Sequence, residues 1–418
     1  MLRLFEVVLA LFIAGFLLNT LYPWLSQWNR LLGILLTLLA IMYWLQQGGG
    51  FPAEVLLFAA FIGWGALTGL LLAEAQGPVR DSVRLLAQEA ALLFAVAVYV
   101  ARRGKPTIVF LFLLVVPLGL GWFSHSTGEL AAALSGDTVR RLVSFAGNEN
   151  FLGFLCLYAV FGVAYLLWHR GKQKLTLWPL LVLPLIGAIL VLSGSRKSIL
   201  SVGFFALAWA AMAYGRARIS RFRRALILLM VVAGLFMAGR SIVERAPVGG
   251  RFESVLSDPS ASRDRLELYR EGWSMFLDAP INGVGLGNFT LRSSMRAYAH
   301  SDFMEVLATT GVVGFLLYFS VYLVLWRRLR RVLNARSDPT SRYTVGLYQA
   351  MIITLLLLGL GTPNFLNPVH LLLIGVMVGH TRAMERNLRS VTPAEGGAVG
   401  DTTTSSPAVL RRTSRLSP

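Results

Sequence analysis

His300 stands in Ala299-His300-Ser301-Asp302-Phe303-Met304-Glu305-Val306, just ahead of a long apolar run. An imidazole there can exchange a proton near neutral pH, which arginine cannot. Arg196 and Lys197 sit side by side in Leu192-Ser193-Gly194-Ser195-Arg196-Lys197-Ser198-Ile199, a short break between two other apolar runs. A Lys or Arg at the centre of a membrane helix costs ~2.5–3.5 kcal/mol on insertion scales, and less toward its ends, so a retained pair calls for a reason. A third group, Arg263, Arg265 and Arg270, precedes the histidine in a long polar segment. Cations of this kind suit an anionic ligand. Headgroup snorkelling is the bland alternative for any one of them, and a capping box at the start of a helix is the bland alternative for Asp302 and Glu305.

The elements that must position these groups are read from composition. The chain has 418 residues, 56% hydrophobic and 14% charged, where a soluble protein carries about 25% charged residues. Apolar runs of a length that crosses a ~30 Å hydrocarbon core recur along it. The expected fold is an all-α polytopic membrane protein with about twelve spans. Residues 1–242 hold spans one to nine, 243–299 one long periplasmic loop, 300–382 spans ten to twelve, and 383–418 a disordered cytoplasmic tail. The first run, Phe5 to Leu25, lacks a small-residue cleavage site and reads as a span rather than a signal peptide. Well over half of the 39 basic residues fall in alternate loops. That alternation expects both termini in the cytoplasm. By the same parity Arg196, Lys197, Arg80, Arg84, Arg140, Arg141 and the cations of the long loop face the periplasm or cell exterior. The net charge of +18 is accounted for by orientation, so nucleic acid is not an expected partner. Cys156 is the only cysteine, which excludes an intrachain disulfide and a cysteine-based metal site.

Within the long loop, Leu266, Tyr269, Trp273 and Phe276 recur at helical spacing and predict an amphipathic helix resting on the bilayer or on the bundle. Ser262 is the expected N-cap, which puts Asp264 and Arg265 in the first turn, where anions are also favoured. Pairing with Glu267 and Glu271 is the alternative for Arg263 and Arg270. Pro280-Ile281-Asn282-Gly283-Val284-Gly285-Leu286-Gly287-Asn288-Phe289 predicts a tight backbone turn; no strand precedes it, which weakens a phosphate-cradle reading. His125, His169, His370 and His380 lack comparable polar neighbours and read as structural. No cluster with metal-ligand spacing stands outside the spans, and no cofactor is expected.

The run LSGSRKSIL, the segment SRDRLELYREGW followed by PINGVGLGNF, and AHSDFMEVLATTGVVGF resemble, in order and spacing, the O-antigen ligase and polymerase superfamily of bacterial inner-membrane proteins. The resemblance is specific over roughly 193–314 and rests on topology elsewhere. It implies a GT-C-like, inverting, metal-independent glycosyltransferase working on the periplasmic face. The implied donor is O-antigen polysaccharide on undecaprenyl pyrophosphate, and the implied acceptor lipid A–core oligosaccharide. By the same resemblance Arg196 and Arg265 are the motif arginines, with Lys197 beside them at the diphosphate, and His300 is the motif histidine and general base. Arg270, Asp302 and Glu305 are possible supporting residues. Ser301 stands where the family pattern commonly has Asn. An O-antigen polymerase would use the same donor, and protein O-oligosaccharyltransferases share the motifs but are usually longer. A transporter of an anionic lipid is the alternative from another class; it would want polar residues deep in the bundle and related halves, and apart from Gln88 and Glu89 few such residues stand there.

Overall fold

The computed structural model describes residues 2–18, 25–47, 50–73, 75–129, 149–169, 178–214, 260–335 and 338–389. Among them the chain is helical, with helices α1 (Leu2–Leu18), α2 (Leu25–Gln47), α3 (Ala53–Leu72), α4 (Gln76–Arg103), α5 (Thr107–Ser126) and α6 (Glu149–His169). A 3₁₀ turn, Trp178–Val182, leads into α7 (Leu183–Ser193), and α8 (Arg196–Trp209) continues into a π turn, Ala210–Tyr214. Then come α9 (Ser260–Asp278), the short α10 (Phe289–Arg292), α11 (Asp302–Ala335), α12 (Pro339–Gly359) and α13 (Pro368–Arg389). Seven of these helices are long and apolar enough to cross a membrane, namely α2 to α6, α11 and α12. The twelve spans expected from sequence are not reached on that measure. α1 has 17 residues, α7 11 and α8 14, and the run at 225–238 lies outside the described residues. So do Arg140, Arg141, residues 243–259 of the long loop and the tail from 390. α13 continues through Ala383 and Met384, both buried, to Arg389, past the boundary at 382.

Packing follows the small residues. α13 lies along α4, α11 along α3, and α12 against α8. A side chain at Gly375 would come within 2.8 Å of the Leu93 carbonyl oxygen, and one at Gly379 would collide with that of Ala97. Close backbone approach of this kind is how helices associate where lipid removes the hydrophobic drive. α11 is broken at Gly311, whose φ of 65° and ψ of −169° are not helical. A break inside a membrane span frees main-chain groups that lipid cannot satisfy, and here other residues take them up. Val284 N–H donates to the Ala308 carbonyl at 2.9 Å, Gly285 N–H to Thr309 at 3.0 Å, and Trp64 Nε1 to Thr310 at 2.9 Å. The glycine-rich segment is therefore a plug for the broken helix. Gly283, with φ 70°, is packed against the Thr309–Thr310 backbone, where no side chain fits.

The two ends of α11 meet different surroundings. Arg328 Nη1 pairs with the buried Glu54 at 3.0 Å, and its other nitrogens reach Glu385. Asp302, at the opposite end, is among the candidate site residues. From the break at Gly311 to Arg328 are 17 residue steps, roughly 25 Å at helical rise, with the segment from Asp302 to the break lying beyond it.

Candidate functional site

The break between α7 and α8 is made by Gly194, left-handed at φ 62°, which caps α7. Ser195 stands at the N-cap of α8 but gives no side-chain cap. Its hydroxyl instead donates to Asn150 Oδ1 of α6 at 3.3 Å and lies 2.8 Å from Ser198 Oγ. The serines of this motif are thus buried struts that pin the start of α8, and the two cations project from its first turn. Arg196 and Lys197, both partly exposed, leave the helix about 100° apart. Lys197 Nζ donates to the Gly361 carbonyl and, at 3.3 Å, to Thr362 Oγ1. Burial, and the charge of Arg265, bring its ammonium down to about 8.

α9 packs on α11 through Leu268, Gly272 and Met275, which meet Val284, Phe289, Ala299, Ala308 and Met304. Leu266 and Trp273, of the stripe expected to rest on the bilayer or on the bundle, lie off this contact and are each 50% exposed. The helix carries two apolar faces, and the bundle takes the one with the small residue, which allows close approach. The helix is already formed at Ser260, so Ser262 lies inside it and is no N-cap, and Arg265 falls in the second turn rather than the first. Arg265 therefore owes nothing to a helix N-terminus. It is exposed, and its charge acts on Lys197, Tyr269, Tyr298 and His300 alike. Arg263 and Arg270 are also exposed. Glu271, expected as a pairing partner, turns to the loop, where its Oε1 accepts the Ser294 N–H at 3.2 Å.

His300 adopts φ 54°, a left-handed backbone unusual for a residue with a side chain. The strain is held from α11: Glu305 Oε2 accepts the Ala299 N–H at 2.6 Å, one residue before the histidine. Glu305 is 6% exposed and Asp302 3%. Asp302 Oδ1 accepts the N–H of Phe365 at 3.0 Å, and its Oδ2 accepts the Tyr318 hydroxyl at 3.4 Å. Neither makes the expected capping box; each reaches out to a neighbouring loop. Ser301 is buried, its carbonyl accepting Glu305 N–H at 2.9 Å. The half-buried imidazole of His300 lies against Tyr298, ring centroids 4.1 Å apart. Burial, then the cations Lys197 and Arg265, pull His300 from 6.5 down to about 4. It is neutral at neutral pH. The other buried histidines have tyrosine partners, His370 with Tyr322 at 2.6 Å and His380 with Tyr348 at 2.7 Å.

Three separated segments thus bring Lys197, Arg265 and His300 into one electrostatic neighbourhood. Residues 180–319 match the family model described as O-antigen ligase. This stretch is an O-antigen ligase domain. No curated protein matches the chain closely enough to count as a relative. The O-antigen ligase domain takes in Arg196, Lys197, Arg265, Arg270, His300, Asp302 and Glu305. It stops short of residues 360–367, which nonetheless touch it through Lys197, Asp302 and Tyr269, whose hydroxyl donates to the Leu360 carbonyl at 2.8 Å. That turn, Gly361-Thr362-Pro363-Asn364 with its flanks, and Tyr269 were not candidates from the sequence. The Pro- and Asn-rich composition between two apolar runs is the one signal that marks the turn.

Proposed function

We propose that this protein is an inverting, metal-independent glycosyltransferase of GT-C type. It moves O-antigen polysaccharide from undecaprenyl pyrophosphate to lipid A–core oligosaccharide. It works in the bacterial inner membrane, with both termini in the cytoplasm and the site facing the periplasm. The observation that carries this reading is the convergence of Lys197, Arg265 and His300 from three segments of an O-antigen ligase domain. Arg328 with Glu54 and Glu385 at the far end of α11 agrees with a cytoplasmic opposite face.

The chemistry follows from the groups. The acceptor hydroxyl oxygen attacks the anomeric carbon while its proton passes to a ring nitrogen of His300. The bond from that carbon to the diphosphate oxygen breaks, and the diphosphate leaves with the electron pair. A diphosphate is already a good leaving group, so it needs charge neutralisation more than a proton. Arg265 and Arg196 suit its oxygens through their forked donors, and Lys197 adds an ammonium. Neutral His300 is in the right form for a base. Bound diphosphate offsets the two cations that hold its basicity down, so the base strengthens once the donor is in place.

The test is reconstitution of the full chain in lipid with lipid-linked O-antigen and either lipid A–core or further donor. Glycosylated lipid A–core is the expected product. Chain extension without it would make the protein a polymerase, and no product with either acceptor would overturn glycosyl transfer.

A further inference from the structure

The turn between α12 and α13, residues 360–367, is bonded to its flanking helices, Asn364 Nδ2 donating to the Leu355 carbonyl at 3.3 Å and Asn367 Oδ1 accepting the Val369 N–H at 3.0 Å, and is held in addition by side chains from three other elements. α12 ends at Gly359, and the carbonyls just beyond a helix end have no intrahelical partner. Leu360 O is taken by the Tyr269 hydroxyl at 2.8 Å, from α9. Gly361 O is taken by Lys197 Nζ, from α8, which also reaches Thr362 Oγ1 at 3.3 Å. Phe365 N–H is taken by Asp302 Oδ1 at 3.0 Å, from the first turn of α11. Three elements that carry the candidate site residues therefore close on one turn. A side chain at Gly359 would stand 2.9 Å from Asp302 Oδ2, so α12 ends directly on that carboxylate.

We propose that this turn is a wall of the donor site and that Asp302 is the positioning residue that keeps it there. The inference rests on reading Lys197 as part of the diphosphate clamp. An ammonium has three N–H donors, and the turn engages it through two acceptors. The turn thereby fixes where the Lys197 charge sits and which way its remaining donor points. Asp302 acts on the donor through the turn, in series, while the backbone just before His300 is held separately by Glu305.

The experiment uses the full chain in nanodiscs, with donor KM and kcat measured for Asp302→Ala and Asp302→Asn. An amide keeps an acceptor oxygen for Phe365 N–H, so Asp302→Asn should recover most of the loss. Asp302→Ala should raise donor KM about 10- to 100-fold, the effect of misplacing one charge-assisted contact, with kcat at saturating donor much less affected. A second readout needs no transfer at all. Leu366→Cys, on a Cys156→Ala background, reports opening of the turn by its rate of maleimide labelling. Asp302→Ala should speed that labelling several-fold, as local opening does, and Lys197→Met should do the same from the other side should Asp302→Ala fail to fold. Loss of kcat in Asp302→Asn at unchanged donor KM would overturn the proposal in favour of proton transfer by Asp302. Labelling unmoved by either release would show that these side chains do not hold the turn. A wild-type protein that transfers no sugar would sink the glycosyltransferase reading, while the labelling would still judge the turn.

Discussion

Under the proposed reaction, the depressed basicity of His300 makes the pH dependence of transfer depend on which complex is observed. In the free protein the imidazole sits at about 4, through burial and through the charges of Lys197 and Arg265. Donor kcat/KM reports the free enzyme and should be level from pH 5 to about 7, because a group at about 4 is almost wholly neutral there, and should fall above that as Lys197, at about 8, loses its charge. The turnover number reports the loaded enzyme, in which an anionic diphosphate opposes both cations. Its limb should move up from about 4 toward the unperturbed ~6.5, where only about a quarter of the imidazole is neutral at pH 6. A steady-state series from pH 5 to 8.5 with lipid-linked donor separates the two limbs. Lys197→Met and Arg265→Met each remove one of the cations that add to the effect of burial, so each should raise the free-enzyme limb, whatever it does to the rate. A wild-type kcat/KM limb centred near 6.5 and unmoved by either substitution would refute the electrostatic coupling. The same depression predicts an acid-side loss of stability. The unfolded chain takes up the proton first, near 6.5, so the folded state is weakened as pH falls from there toward 4, with no further loss from this group below.

Arg265→Ala and Arg196→Ala should each lower donor kcat/KM about 10- to 100-fold, and Arg265→Lys should recover only part of it for want of a forked donor; wild-type values in both alanine variants would leave these cations as surface residues. Glu305→Ala should release the strained backbone at His300 and lower kcat while sparing donor KM, and Glu305→Gln, which keeps an acceptor for Ala299 N–H, should restore much of it; equal losses in both would point to the charge rather than the hydrogen bond. Ser274→Cys on α9 should react with an impermeant thiol reagent from the periplasmic side and Asn334→Cys at the end of α11 should not, both on a Cys156→Ala background; reversed labelling would put the site on the wrong face for this donor.

What the sequence determined by itself is the part of this protein written in local composition and short spacing. Apolar runs such as 53–73 and 108–123 coincide with α3 and α5 because a membrane helix satisfies its own backbone, so length and hydropathy suffice to find it. The motif order around Arg196, Arg265 and His300 was enough to place 180–319 in the O-antigen ligase family. Tertiary structure decided what depends on which surfaces meet. α9 has two apolar faces, and a hydrophobic stripe looks the same whether lipid or bundle covers it, so only packing selected Leu268 and Met275 over Leu266 and Trp273. Asp302 and Glu305 have the spacing of a cap, yet a carboxylate takes whichever N–H lies near, and here Phe365 comes from 63 residues away. The glycines after Pro280 signal a turn, while the reason for it, the open carbonyls at the Gly311 break, belongs to a different helix. The partners of Lys197 lie 164 and 165 residues downstream, in a turn outside the matched domain. No periodicity reaches that far, because the contact exists only after α8, α11 and α12 have packed.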